Sequence, residues 1–292
     1  MNATMHIQSF FDPGTSTFTY LVDDGHGTAA LIDPVMGLDV KAARLDPRPA
    51  EAVAQAVRDR GLQLEWLLET HAHADHLSAA PWFRERFGGR LAIGAGITKV
   101  QKVFRGIYNA EDVLVDGSQF DHLFADGDRF AIGRLNVEVM HVPGHTPADV
   151  AYRLFDPEAG ADAVFVGDTL FMPERGTARC DFPGGSAPLL FRSVRRLLEL
   201  PATTRIFVCH DYPAAGQAPR CEATVAEHRR TNIHVRDGIA EHAFVAQRTA
   251  RDATLDLPAL MLPAVQVNIR AGELPKAETN GVSYLKIPVG RF

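Results

Sequence analysis

Thr70-His-Ala-His-Ala-Asp-His76 sets three imidazoles and one carboxylate inside six residues, directly after the apolar, strand-like segment Leu64 to Leu68. Alternation places His71 and His73 on one side of a tight loop and turns Asp75 and His76 toward a neighbouring position, so the run can serve two adjacent metal positions. Three further potential ligands follow: His145 in His141-Val-Pro-Gly-His-Thr-Pro147, Asp168 in Val164-Phe-Val-Gly-Asp-Thr169, and His210 in Ile206-Phe-Val-Cys-His-Asp211. Each ends or closely follows a β-rich apolar segment. A lone His-x-His is usually incidental; the ordered series points to a metal site.

Working outward, Thr17 to Val22 and Ala29 to Ile32 read as paired strands around the turn Asp23-Asp-Gly-His-Gly27, and Pro49 to Arg60 has helical spacing. Ser78 to Phe87 reads as a helix closed by Gly88-Gly89. Phe130 to Ile132 and Leu135 to Val139 form a hairpin about Gly133-Arg134, followed by strands at Val150 to Leu154 and Ala163 to Val166. The pattern is α/β and layered.

Length and composition fit a folded enzyme. The 292 residues, 46% hydrophobic and 23% charged, contain no linker or low-complexity tract, so one domain over 1–292 is expected, with 236–292 as a C-terminal extension packed on it. A net charge of −6 argues against nucleic acid as a partner. The densest basic stretch, Arg192 to Arg196, lies in an apolar repeat of helical period and reads as the solvated face of an amphipathic helix. No stretch approaches the roughly 20 apolar residues of a membrane span, and Met1 to Phe10 lacks the pattern of a signal peptide, so a cytoplasmic location is expected.

Cys180, Cys209 and Cys221 cannot make a closed disulfide framework and show no Cys-x-x-Cys spacing, which fits a reducing compartment. Cys209 reads as a small core residue. Cys180, between Arg179 and Asp181, stands in a more polar setting where nearby cations would favour its thiolate.

Two metal arrangements are open. Asp168, His71 and His145 can occupy one face of an ion and leave the opposite face free, which suits non-haem Fe(II), one per chain, and O2. Alternatively, His71, His73 and His145 hold one Zn(II), and Asp75, His76 and His210 a second, with Asp168 bridging ions about 3.5–4 Å apart and generating hydroxide for hydrolysis. Counting ligands does not choose between them.

The series of donors resembles the metallo-β-lactamase fold superfamily, which implies an αββα sandwich with strand-end loops converging on one cleft. Downstream, Gly176-Thr-Ala-Arg-Cys-Asp-Phe-Pro-Gly-Gly185 resembles the Arg-x-Asp-Phe segment of persulfide dioxygenases of the ethylmalonic encephalopathy protein type. Cys209-His-Asp-Tyr212, Thr224-Val-Ala-Glu-His-Arg-Arg-Thr-Asn232 and Val265-Gln-Val-Asn-Ile-Arg-Ala-Gly272 are similar to later segments of that branch, so the likeness covers residues 5 to 275. The Pro-Gly-Gly form and the tail Tyr284-Leu-Lys-Ile-Pro288 look most like its bacterial β-lactamase-like hydrolase members, linked with sulfide detoxification.

The resemblance implies one Fe(II) on His71, His145 and Asp168, and oxidation of glutathione persulfide, or a related small persulfide, by O2 to sulfite. His73, Asp75, His76 and His210 would then stand around the ion or mark a second metal position. Arg179, Asp181 and Tyr212 match residues that line or brace the family site. Where the family has an Arg that reaches the glutathione carboxylate, this chain has His234, and a neutral imidazole cannot make a bidentate carboxylate pair. Arg229, Arg230 and Arg270 are the candidate substitutes. The competing readings are a dinuclear thioesterase of the glyoxalase II type and a non-catalytic sulfur-sensing or assembly protein; a sulfurtransferase partner and self-association are left open.

Overall fold

The computed structural model describes residues 5–156, 160, 162–214 and 216–291. The ends of the 1–292 span and the first four residues of the Met1–Phe10 stretch lie outside that set. Two six-stranded sheets dominate. The first runs, in spatial order, His6–Asp12, Thr17–Asp23, Thr28–Ile32, Gln63–Leu68, Arg90–Gly94 and His122–Phe124. The second runs Arg129–Ile132, Leu135–His141, Val150–Phe155, Asp162–Phe165, Arg205–Phe207 and Glu222–Thr224.

Strand alternation explains the layering. Tyr20, Val22, Ile32 and Leu68 face Val139, Tyr152, Phe165 and Phe207 across the space between the sheets. The residues between them in sequence, Leu21, Leu31 and Leu67, point the other way, onto the helices Arg48–Asp59, Ala80–Phe87, Ile97–Tyr108 and Met261–Asn268. On the far side, Met140, Ala151, Val164 and Ile206 pack under the helix Ala187–Leu197. The result is α/β, with helices outside two facing sheets.

Strands Thr28–Ile32, Gln63–Leu68 and Arg90–Gly94 pair in parallel, and each is largely apolar because both of its faces are covered. The Thr70–His76 run leaves the C-terminal end of Gln63–Leu68. The sheets meet near it: Phe18 N–H donates to the Cys209 carbonyl at 2.8 Å, and Thr17 bridges His210. That contact carries His210 across to the metal run.

The helix expected from Ser78 begins instead at Ala80, because Ser78 pairs with Val35 in a short strand and its N–H donates to Asn268 Oδ1. The arginines of Ala187–Leu197 do face outward, where Arg192, Arg195 and Arg196 meet Glu241, Asp237 and Asp126. No helix among the described residues is long and apolar enough to cross a membrane.

Candidate metal centre

His71, His145 and Asp168 come together from three strand-end loops and are all buried. Asp168 Oδ2 lies 3.8 Å from His71 Nε2 and 3.6 Å from His145 Nε2, close to the edge of about 3.5 Å that donors at about 2.1 Å from one ion would share. The tautomers are set by the other ring nitrogens. His145 Nδ1–H donates to the Arg179 carbonyl at 2.7 Å. The Thr70 hydroxyl donates to Asp33, so at 3.0 Å it accepts from His71 Nδ1–H. Both Nε2 lone pairs are thereby left facing Asp168.

Gly167 makes this approach sterically feasible. Its φ is +51°, and a Cβ there would stand 2.5 Å from Thr70 Oγ1. The turn that delivers Asp168 therefore lies directly against the residue that orients His71.

The other oxygen of Asp168 faces a second group of donors. Oδ1 is 3.2 Å from His210 Nε2, which is also 3.5 Å from Asp75 Oδ2. His210 Nδ1–H donates to the Ser16 carbonyl at 3.1 Å. The donor atoms of His73, Asp75 and His76 also cluster. His73 falls in this group as well as beside His71, whose ring centroid is 4.0 Å from its own; its Nε2–H donates to Asp33 at 2.9 Å and lies 3.3 Å from Glu69, which leaves Nδ1 as the nitrogen free to meet an ion.

Charge follows the same geometry. Burial would raise the pKa of Asp168, but His210, then His71 and His145, outweigh it and hold the carboxylate below its ordinary range. Burial and the neighbouring His73 depress His71 well below a normal imidazole, keeping it neutral and able to ligate. His71 Nε2, His73 Nδ1 and His76 Nε2 are buried without hydrogen-bond partners among the described residues. Three orphaned, buried imidazole nitrogens are costly unless an ion takes them, so the donor set fits a metal.

Residues 12–210 match the Metallo-beta-lactamase superfamily, a stretch that takes in all seven donors. The chain belongs to the metallo-β-lactamase superfamily. Within it, a probable metallo-hydrolase of Burkholderia pseudomallei is 53% identical, the match covering 98% of this chain and 99% of that one. A beta-lactamase hydrolase-like protein of Agrobacterium fabrum is 49% identical over 98% of this chain, which spans only 65% of that longer relative. Glyoxylase B2 of Dictyostelium discoideum is 47% identical, with 92% and 91% covered. More distant is the mitochondrial persulfide dioxygenase ETHE1 of Bos taurus, 29% identical with 92% and 90% covered. The crystal structure of ETHE1 from Myxococcus xanthus superposes with a TM-score of 0.72 at 30% identity, covering 92% of this chain and 100% of that one.

A cleft of about 940 Å³ opens from Asp168, His145 and His210, with Phe171, Phe182, Tyr212 and Arg179 on its walls. Arg179 forks onto Asp181 at 2.7 and 2.8 Å and donates to the Asp256 carbonyl. Asp181 does not line the cleft; it acts on the site through Arg179. Tyr212 stacks on His210 with centroids 6.1 Å apart, and burial pushes its phenol up to about 12, so it keeps its proton.

His234 lines the cleft, but its Nδ1 accepts from Thr177 N–H at 3.0 Å and its ring lies where a Cβ on Gly176 would be. Of the cations expected to substitute for it, none lines the cleft. Arg229 pairs with Asp237, Arg230 is exposed, and Arg270 is buried in a fork onto Asp112 at 2.7 and 2.9 Å. Cys180 also departs from expectation: burial and the Asp252 carboxylate push its thiol up to about 12, against thiolate formation. Sequence reasoning missed Asp33 and Glu69 on His73, and it missed Arg175, Arg248 and Arg251 on the cleft wall.

Proposed function

We propose that this chain is a non-haem Fe(II) persulfide dioxygenase that oxidises glutathione persulfide, or a related small persulfide, to sulfite. The observation that carries the reading is the convergence of two imidazoles and one carboxylate, His71, His145 and Asp168, on the residues where persulfide dioxygenases hold iron. Balance requires one persulfide, one O2 and one water to give one thiol, one sulfite and two protons. Iron held there would supply open positions at which the persulfide sulfur and O2 meet.

The chain's own residues supply orientation and charge control. The Arg179 carbonyl and the Thr70 hydroxyl fix the tautomers of His145 and His71. Phe171 and Phe182 give the cleft an apolar wall beside the donors, which restricts water around a reactive sulfur. Tyr212, protonated at neutral pH, offers a hydroxyl donor to a bound ligand. The small-molecule partners on this reading are O2 and the persulfide, in the cytoplasm.

One observation favours a second reading. The two oxygens of Asp168 face separate donor groups, as a bridging carboxylate would, and a two-metal thioesterase of the glyoxalase II type would use that arrangement. Elemental analysis of protein purified without air separates them. About one iron per chain supports the dioxygenase. Two tightly held zinc ions, with activity in zinc and none in iron, support the thioesterase.

A further inference from the structure

The cleft wall carries charges that neither metal binding nor structural pairing consumes. Four arginines line it, Arg175, Arg179, Arg248 and Arg251. Arg179 is neutralised by Asp181, and buried Arg248 by Asp252, with its remaining nitrogen on the Thr177 carbonyl at 3.1 Å. Arg175 and Arg251 form no ion pair among the described residues. Arg175 donates to the Tyr212 carbonyl, and Arg251 has only a long 3.4 Å contact to the Thr254 hydroxyl. Of the acids on the same wall, Asp75 and Asp168 belong to the metal donors, and Glu174 is held by Arg220 at 3.1 Å. Asp256 is exposed, and its side chain has no ion pair among the described residues.

The unspent set is therefore two guanidinium groups on separate elements, the loop after Asp168 and the helix Glu241–Asp252, together with one carboxylate. We propose that Arg175 and Arg251 are the specificity-determining residues of this site, each holding one carboxylate of a zwitterionic γ-glutamyl tripeptide thiol, with Asp256 taking its ammonium. The inference rests on the carrier-thiol part of the reading above. Such a ligand carries two carboxylates and one ammonium, the complement of this wall, and a cleft of this size accommodates a molecule of about 20 heavy atoms. A guanidinium fork grips a carboxylate with two parallel hydrogen bonds, which neutral His234 cannot do. The carboxylate grip thus moves from position 234 to the helix and loop that face the same space.

The test is calorimetric titration of the metal-containing protein with glutathione and with its glycine monoethyl ester, in which the glycine carboxylate is masked. Wild type, Arg175→Ala and Arg251→Ala are compared, with melting temperatures confirming that these exposed positions leave the fold intact. Each variant should bind glutathione about tenfold or more weakly. One of them, the variant whose arginine faces the glycine carboxylate, should bind the monoethyl ester as well as wild type does. Affinities for glutathione within twofold of wild type in both variants would overturn the assignment, as would tighter wild-type binding of coenzyme A than of glutathione. Thioester hydrolysis without O2 uptake would sink the dioxygenase reading and leave the arginine assignment standing, since both substrates carry the same tripeptide.

Discussion

His145 is tied to Arg179 through the main chain: its Nδ1–H donates to the Arg179 carbonyl at 2.7 Å, while the Arg179 side chain forks onto Asp181 and reaches the Asp256 carbonyl. One residue thus orients a metal donor with its backbone and anchors that backbone with its guanidinium. Arg179→Ala leaves the carbonyl in place but frees the loop that carries it. Iron affinity should fall about 10–100-fold, as for other groups that orient ligands, measured by chelator competition. Arg179→Lys should recover little of it, because an ammonium cannot reproduce the fork. Wild-type affinity in Arg179→Ala would show that the loop is held by other means.

Removal of Asp168 and removal of His210 should have different consequences. Asp168→Ala takes an oxygen from the His71–His145 set and leaves His210 without its 3.2 Å partner, so iron and activity should be lost together. His210→Ala should retain most of the iron, because its Nε2 faces Asp75 and the opposite oxygen of Asp168. Equal loss of iron in both variants would favour a dinuclear centre.

Gly167→Ala tests the turn that brings Asp168 to His71. A Cβ 2.5 Å from Thr70 Oγ1, on a backbone at φ +51°, should cost about 1–3 kcal/mol or more in stability and lower iron content with it. Thermal denaturation and metal analysis of one preparation read both effects, and an unchanged melting temperature would mean that the Thr70 loop yields freely.

Stability should decline in mild acid through two histidines outside the donor set. Burial depresses His228 to about 4; burial, then Arg248 and Arg251, depress His234 to about 4. Each has a folded pKa below its unfolded value near 6.5, so the unfolded chain binds the proton first. Their contribution is fully present above about pH 6.5 and is lost progressively as pH falls toward 4. Urea midpoints should drop across that window, and less steeply in His228→Gln. An identical slope in that variant would contradict the assignment.

The donors were legible because their signal is local: each sits just past an apolar strand, and strand ends on one edge of a sandwich converge. The strands themselves could be read from alternation, as in Thr17–Asp23, whose odd and even residues enter different cores. What the sequence hid was long-range. Asp33 is forty residues from His73 yet accepts its proton at 2.9 Å, and nothing around Ile32-Asp-Pro34 announces that pairing. Arg270 carried the right charge near a matching motif, but Asp112, distant in sequence, had already claimed it. Ser78 continued a helical pattern that a strand bridge to Val35 interrupted. Cation identity is visible in a sequence; which acid neutralises each cation is decided by packing.

Oxygen consumption by iron-containing protein, prepared without air and given glutathione persulfide, tests the dioxygenase activity itself. One O2 should be consumed per persulfide, with sulfite and glutathione appearing in equal amounts and negligible hydrolysis of S-lactoylglutathione. Absence of O2 uptake, with S-lactoylglutathione hydrolysed efficiently by the same preparation, would contradict the dioxygenase reading.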